Sequence, residues 1–262
     1  MKIPYYQVDA FTSETFRGNP AGVCILNEWL DDHILQNIAM ENNLSETAFI
    51  KEESGYYSLR WFTPTLEMDL CGHATLAPAF VLFSELGHSR NEIKFHTKSG
   101  LLTAIKRNQL IELNLPARMP SPCSTPDNLI EALGDTPLEV LKSRDIVAVF
   151  ESEEQISTLN PDMELLKTLN CLGIIVTAPG NNSDFVSRFF APRAGVPEDP
   201  VTGSAHCSLI PYWASKLRKN DLFARQISKR TGDLECRFLG DRVSIAGQAI
   251  VYSEGYLRIP VA

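Results

Sequence analysis

Short strand-like runs of apolar and β-branched residues, separated by turns, dominate this chain. They predict strands at Tyr5–Phe11, Ala21–Leu26, Thr47–Lys51, Tyr57–Phe62, Glu92–His96, Leu101–Lys106 and Ile111–Leu115. A second series runs at Ile146–Phe150, Gly173–Ala178, Phe185–Phe190, Phe223–Ser228, Leu234–Phe238, Arg242–Ser253 and Tyr256–Ile259. Two amphipathic helices interrupt them. One opens at Asp31-Asp32, carries Ile34, Leu35 and Ile38 on one stripe, and stops near Asn42-Asn43; the other runs over Met163–Leu169 behind Pro161-Asp162.

Two further segments depart from both patterns. From Ala74 to Leu86 the chain is apolar on nearly every face, and the stretch after Gly203 is similar. A helix apolar all round has to be enclosed by protein rather than laid on a surface. The strands available predict an α+β fold in which a curved, barrel-like sheet wraps one central helix, twice. Pro78 and Pro211 fall inside these segments, and each predicts a kink or a late helical start because proline removes a backbone donor.

The two halves read as copies. FTPTLEMDLCGHATLAPAF and FAPRAGVPEDPVTGSAHCSLI share Phe-x-Pro, an acidic cluster, and then Gly-(His/Ser)-Ala; ten positions separate Phe62 from Gly72, and thirteen separate Phe190 from Gly203. Between the halves, residues 116–126 hold four prolines and predict an extended linker. The expected domains are therefore 1–116, with the closing strand at 255–262 a candidate to complete it, and 127–254.

Composition narrows the function classes. The chain has 262 residues, 44% of them hydrophobic and 21% charged, with a formal charge of −8. Its cations are scattered, which argues against nucleic acid as a partner. Its N-terminus holds Asp9 and Glu14 where a leader needs an apolar core, and its longest apolar run falls short of a membrane span, so a cytoplasmic protein is expected. Six cysteines without CxxC or zinc-ribbon spacing read as free thiols. Cys71 and His73 are two positions apart, about 200° around a helix, a poor grip on one ion, so no metal is expected.

Gly72 and Gly203 stand where the two enclosed helices begin. Glycine there permits a sharp turn and close approach of a ligand, and the bare N–H groups with the helix dipole make a cradle for a small carboxylate. The plain alternative is a pair of tight strand-to-helix turns. His73, in the first turn, can donate to an anion or carry a proton; Asp199, held extended by Pro200, can cap the second helix or reach a ligand; His206, one turn inside, reads as a core histidine.

The stretches VDAFTSETFRGNPAGV, NLSETAF, FTPTLEMDLCGHATLA and FFAPRAGVPEDPVTGSAHC together resemble the PhzF family of phenazine-biosynthesis-like isomerases, across both halves of the chain. The resemblance implies a diaminopimelate-epimerase-like fold with the active site in the cleft between two domains. It also implies a homodimer, and cofactor-independent movement of a proton within a small amino or hydroxy acid. It assigns the proton carrier to Glu46, with His73 and Asp199 as partners, and places Asn19, Gly72, Gly203 and Ser204 at the substrate. In two-thiol racemases a cysteine precedes each central helix; here the second position is Thr202, whose hydroxyl is too weakly acidic to replace a thiolate. A single-carboxylate shuttle is therefore expected. An epimerase using Cys71 with another base, and a metabolite-binding protein without activity, stand as alternatives.

Overall fold

The computed structural model describes residues 1–259. The chain forms two compact units, one of Met1–Asn114 with the chain from Ala246 onward, the other of Leu115–Ile245. The first unit contains β1 (Lys2–Ala10), β2 (Asn19–Leu26), α1 (Asp32–Asn42), β3 (Glu46–Glu52), β4 (Tyr57–Phe62), β5 (Glu67–Met68), α2 (His73–Phe80), β6 (Glu92–Thr97), β7 (Gly100–Arg107) and β8 (Leu110–Pro116). β1 lies antiparallel to β2; β2 and β3 are parallel, β3 and β4 antiparallel, β4 and β6 parallel, and β6, β7 and β8 antiparallel. This curved sheet wraps α2, which packs against β1, β2, β3, β7 and the C-terminal strand.

The second unit repeats the scheme. It contains β9 (Ser121–Pro122), α3 (Leu129–Leu133), β10 (Glu139–Lys142), β11 (Ile146–Val149), α4 (Glu153–Thr158), α5 (Met163–Thr168), β12 (Ile174–Pro179), β13 (Phe185–Ala191), β14 (Val196–Asp199), α6 (Gly203–Leu217), β15 (Asp221–Gln226), β16 (Gly232–Phe238) and β17 (Arg242–Gly247). β11 and β12 are parallel, β12 and β13 antiparallel, β13 and β15 parallel, and β15 and β16 antiparallel. The order and sense match β2–β3–β4–β6–β7, and α6 sits where α2 does. The duplication read from two short motifs is thus carried by the whole pairing scheme.

Three expectations change. Arg242–Ser253 is not one strand: the chain breaks at Gln248, whose carbonyl accepts from the Thr12 amide, and Ala249–Arg258 becomes β18, paired along β1 from Ala10↔Ala249 to Lys2↔Arg258. The second unit therefore ends at Ile245 rather than near residue 254, because β18 pairs with β1 in the first unit; of the candidate strand at 255–262, residues 260–262 lie outside the described residues. The proline-rich stretch is also not a free linker. β9 pairs with β10, and the Arg118 amide donates to the Cys207 carbonyl at 2.8 Å. Among the described residues, no helix is long and apolar enough to cross a membrane.

Both central helices run through their prolines. Pro78 leaves the Ala74 carbonyl without its intrahelical donor, and the indole N–H of buried Trp61 fills that place at 2.9 Å. Pro211 frees the Cys207 carbonyl in the same way, and the Arg118 amide fills it. Beyond Pro78 the helix passes into a π-helical turn over Val81–Glu85. A buried carbonyl left bare costs about 1–3 kcal/mol, so each helix tolerates its proline because the fold supplies a replacement donor. Trp61→Phe should therefore destabilise the protein by at least that amount in urea unfolding. Its cost should shrink by about 1 kcal/mol in a Pro78→Ala background, where the backbone amide at that position donates to the helix again. Strict additivity in the double-mutant cycle would refute this account.

Candidate active site

Glu46 is the first residue of β3, and the β2–β3 register sets it opposite Ala21. His73 is the first residue of α2, just after Gly72. The curved sheet turns both inward: Glu46 is 8% exposed, His73 1% and Asn19, at the start of β2, 0%. The Glu46 Oε2 and His73 Nε2 atoms lie 3.0 Å apart, an ion-pair distance, yet not aligned as a hydrogen bond, and neither atom has another hydrogen-bond partner. Asn19 Nδ2 lies 3.0 Å from His73 Nδ1. A primary amide can serve both states of the ring, donating from its NH2 to a neutral nitrogen or accepting at its oxygen from a protonated one.

The charges follow from burial. Burial alone pulls an imidazolium down, but nearby negative charge outweighs it and holds His73 well above its ordinary 6.5. Cys71 Sγ lies 3.5 Å from His73 Nδ1, but burial first, then the Glu46 carboxylate, pushes that thiol up to about 11. Cys71 and then Glu46 are the two groups that raise His73 against burial. His206, by contrast, is fully enclosed in α6; burial drives it down to about 4, against one bond from Nδ1 to the Thr202 carbonyl at 2.8 Å. It is a core histidine.

Glu46, Cys71 and His73 are close enough to be considered for a metal, their ligand atoms lying within 4.8 Å of one another. The 200° separation argued from the sequence does not apply, because Cys71 precedes the helix. The carboxylate and thiol nevertheless face different ring nitrogens, so one ion cannot take all three without the ring turning.

In the second unit, Asp199 ends β14 and accepts from the Thr202 hydroxyl at 2.5 Å. Gln226, fully buried at the end of β15, binds both neighbours: its Nε2 donates to the Asp199 carbonyl at 2.7 Å, and its Oε1 accepts from the Thr202 amide at 2.8 Å. The Asp199 carboxylate therefore grips the N-cap hydroxyl instead of capping α6 itself. Ser204, in the first turn, accepts from Arg144 Nη2 at 2.9 Å. Gln226 and Arg144 carry no local signal in the sequence, since each meets the site only through strand pairing. Neither Gly72 nor Gly203 has positive φ, and Gly72 is plainly right-handed at φ −71°. A left-handed turn therefore does not explain these glycines.

The duplicated frame shows how the two copies diverged. Aligning the registers sets Phe62 on Phe190 and Thr47 on Ile174, and hence Glu46 on Gly173. A Cβ at Gly173 would strike the Phe189 ring at 2.2 Å. The second copy has no room for the acid that the first copy buries, and it sets Thr202 and Ser204 where the first sets Cys71 and His73.

Comparison with known proteins agrees with this frame. Residues 8–255 match the family model PhzC-PhzF, described as phenazine biosynthesis-like protein. An uncharacterised isomerase of Pseudomonas aeruginosa is 51% identical over 99% of this chain and all of its own. The crystal structure of a PhzF-family phenazine biosynthesis protein from Enterococcus faecalis superposes with a TM-score of 0.95 at 45% identity, covering 99% of this chain and 100% of that one. A probable proline racemase from Agrobacterium radiobacter superposes with a TM-score of 0.70 at 9% identity, covering 99% and 93%, a likeness of fold alone.

The two buried histidines should titrate on opposite sides of 6.5. By proton NMR, His73 should keep its proton well above that value, and in Glu46→Gln its midpoint should fall, since one of the two groups that oppose burial is then neutral. Folding raises the His73 pKa, so its contribution to stability is complete below pH 6.5 and fades as pH climbs through the folded value. His206 runs the other way. Its drop to about 4 removes roughly 3 kcal/mol of stability as pH falls from 6.5 to 4, and His206→Gln should flatten that acid limb. An unchanged His73 midpoint in Glu46→Gln would break the assignment of Glu46 as a group that raises it.

Proposed function

The chain belongs to the phenazine biosynthesis-like PhzC-PhzF family and is an isomerase, and from that premise we propose that it moves a proton within a small amino or hydroxy carboxylic acid by a shuttle on one carboxylate, Glu46. The observation that carries the reading is the buried Glu46–His73 contact, 3.0 Å long and not aligned as a hydrogen bond. A carboxylate so placed keeps lone pairs for a substrate proton.

The step is a transfer between two carbons. The Glu46 carboxylate takes a proton from carbon beside an activating group, and the electron pair left behind delocalises into that group. The protonated Glu46 then returns the proton at another carbon of the same molecule, so the double bond shifts and atoms and charge balance. His73 stabilises the charge that develops and can exchange its proton with Glu46, while Asn19 follows the change at Nδ1. Gly72 at the head of α2 offers close approach and the positive end of a buried helix to the acid's carboxylate. Asp199, Gly203 and Ser204 are proposed as binding residues for the polar groups of the substrate.

One observation favours a second reading, an epimerase using Cys71: its sulfur lies 3.5 Å from His73 Nδ1. The raised thiol pKa and the threonine at the matching position of the second copy weigh against it.

In deuterium oxide, with a panel of small cyclic amino and hydroxy acids followed by NMR, the wild-type protein should wash deuterium into at least one compound. Glu46→Gln should slow that exchange by about 10²–10⁴-fold, the usual worth of a positioned acid/base group, while leaving binding in place. Exchange at the wild-type rate in Glu46→Gln would remove Glu46 from the role. Iodoacetamide at neutral pH should leave exchange intact, and inactivation traced to Cys71 would shift the reading to the epimerase.

A further inference from the structure

The Glu46–His73 contact depends on where the chain delivers His73. Residues 63–72 leave β4, double back along it as β5, and enter α2. Glu67 in β5 lies opposite Phe62, and its carboxylate takes two parallel bonds from Arg60, Nε to Oε1 at 2.7 Å and Nη2 to Oε2 at 2.9 Å. The third arm of that guanidinium, Nη1, reaches Asp32 at the start of α1 at 2.8 Å, and its central carbon lies 5.1 Å from the middle of the Phe62 ring. Both side chains are mostly buried, and Lys98 also bonds the Glu67 carboxylate. A two-bond arginine–carboxylate pair fixes direction as well as distance, which a single ion pair does not.

The second unit builds the same device. Arg188 in β13 donates from Nε to Glu198 Oε1 at 2.7 Å and from Nη2 to Oε2 at 3.1 Å. Its central carbon lies 5.0 Å from the middle of the Phe190 ring, and its Nη1 reaches the Ile156 and Leu159 carbonyls at the end of α4. The spacing is the informative part. Six positions separate Glu67 from His73, and six separate Glu198 from Ser204. The three extra residues of the second copy all fall earlier, since five positions separate Phe62 from Glu67 and eight separate Phe190 from Glu198. Between the copies the length before the pair varies, the length after it does not, and the residues at the helix head differ. A pair held at constant spacing from a head whose chemistry has changed serves the placing of the head.

We propose that Arg60 and Glu67 are positioning residues for His73: their two-bond clasp fixes the strand from which the head of α2 is measured, and so holds the ring against Glu46 and Asn19. The stretch between clasp and ring has little slack. Ser99 Oγ donates to the Asp69 carbonyl at 2.7 Å, and the Thr75 hydroxyl donates to the Cys71 carbonyl. The groups that face the ring are Glu46, Cys71 and Asn19, so the clasp acts on it through the backbone. What the clasp does for turnover rests on the shuttle proposed for Glu46; what it does for the surroundings of the ring does not.

The test is an NMR titration of the histidine ring protons in the full chain. Arg60→Lys keeps the charge and loses the fork, and Glu67→Gln keeps the shape and loses the acid. In both, the His73 midpoint should fall by about one unit, a tenfold loss of proton affinity, while His206 in the other unit keeps its own. Glu198→Gln, the matching change in the second unit, should leave His73 as wild type has it. In a Glu46→Gln background, Arg60→Lys should lower the midpoint by clearly less than it does alone. Both variants should also slow deuterium exchange into a compound that the wild type labels by at least about tenfold at saturation, because a misplaced acid–base group loses rate steeply. The half-saturating concentration should change little. A wild-type His73 midpoint in folded Arg60→Lys overturns the inference whatever the exchange shows, and so does a shift in Glu198→Gln as large as that in Glu67→Gln. If Arg60→Lys fails to fold, Glu67→Gln decides. Absence of exchange in the wild type counts against the shuttle on Glu46, and the midpoints then decide the role of the clasp.

Discussion

The structure depends on enclosing two helices, α2 and all but the last turn of α6, on every side. Every backbone group along α2 and α6 has to find a partner inside the protein, because a bare carbonyl or amide there meets no water. The prolines make the demand visible. Pro78 and Pro211 each free one carbonyl, and Trp61 and Arg118 each supply the donor that closes it. These bonds tie each helix to the chain around it, one through a side chain and one through the backbone of a proline-rich stretch. The same enclosure brings both helix N-termini into a dry interior, where positive potential is concentrated at one place.

Enclosure also sets the ionisation of the groups that stand at those heads. In the first unit Glu46 and His73 are buried against each other. Burial alone would discharge the imidazole, and the attraction of nearby negative charge keeps it protonated. Cys71, equally buried but with no cation facing it alone, stays a thiol. In the second unit Gly173 and the ring of Phe189 occupy the place of the acid, and hydroxyl groups from Thr202 and Ser204 meet Asp199, Gln226 and Arg144 instead. One duplicated frame therefore carries an acid–base pair at one helix head and a hydroxyl–arginine cluster at the other. Divergence of this kind separates the present arrangement from a two-thiol scheme, in which both heads carry the same group.

Much of this was legible before any coordinates. The apolar-all-round segments announced enclosed helices, the repeat of Phe-x-Pro and Gly-(His/Ser)-Ala announced duplication, and Thr202 in place of a second cysteine argued against paired thiols. Those readings rest on local composition and spacing, which burial and helix geometry convert directly into structure. The same local logic failed where pairing partners decide. Arg242–Ser253 looked like one strand and is two, since β1 captures the residues after Gln248. The proline-rich stretch looked like a linker and is bonded to α6. Cys71 and His73 looked too far apart around a helix, yet their atoms meet because the helix begins only after Gly72.

The sequence by itself determined the class of the fold, the two helix heads and the residue types set there, because periodicity and motif spacing are properties of neighbouring residues. The tertiary structure alone decided which side chains meet. Glu46 faces His73 because β3 lies beside β2 under α2, Gln226 joins Asp199 to Thr202 across 24 residues or more, and Arg144 reaches Ser204 across 60. Charge state followed from those meetings: an imidazole near 6.5 in water moves up beside a buried carboxylate and down in an apolar helix, and only the fold says which histidine has which neighbour.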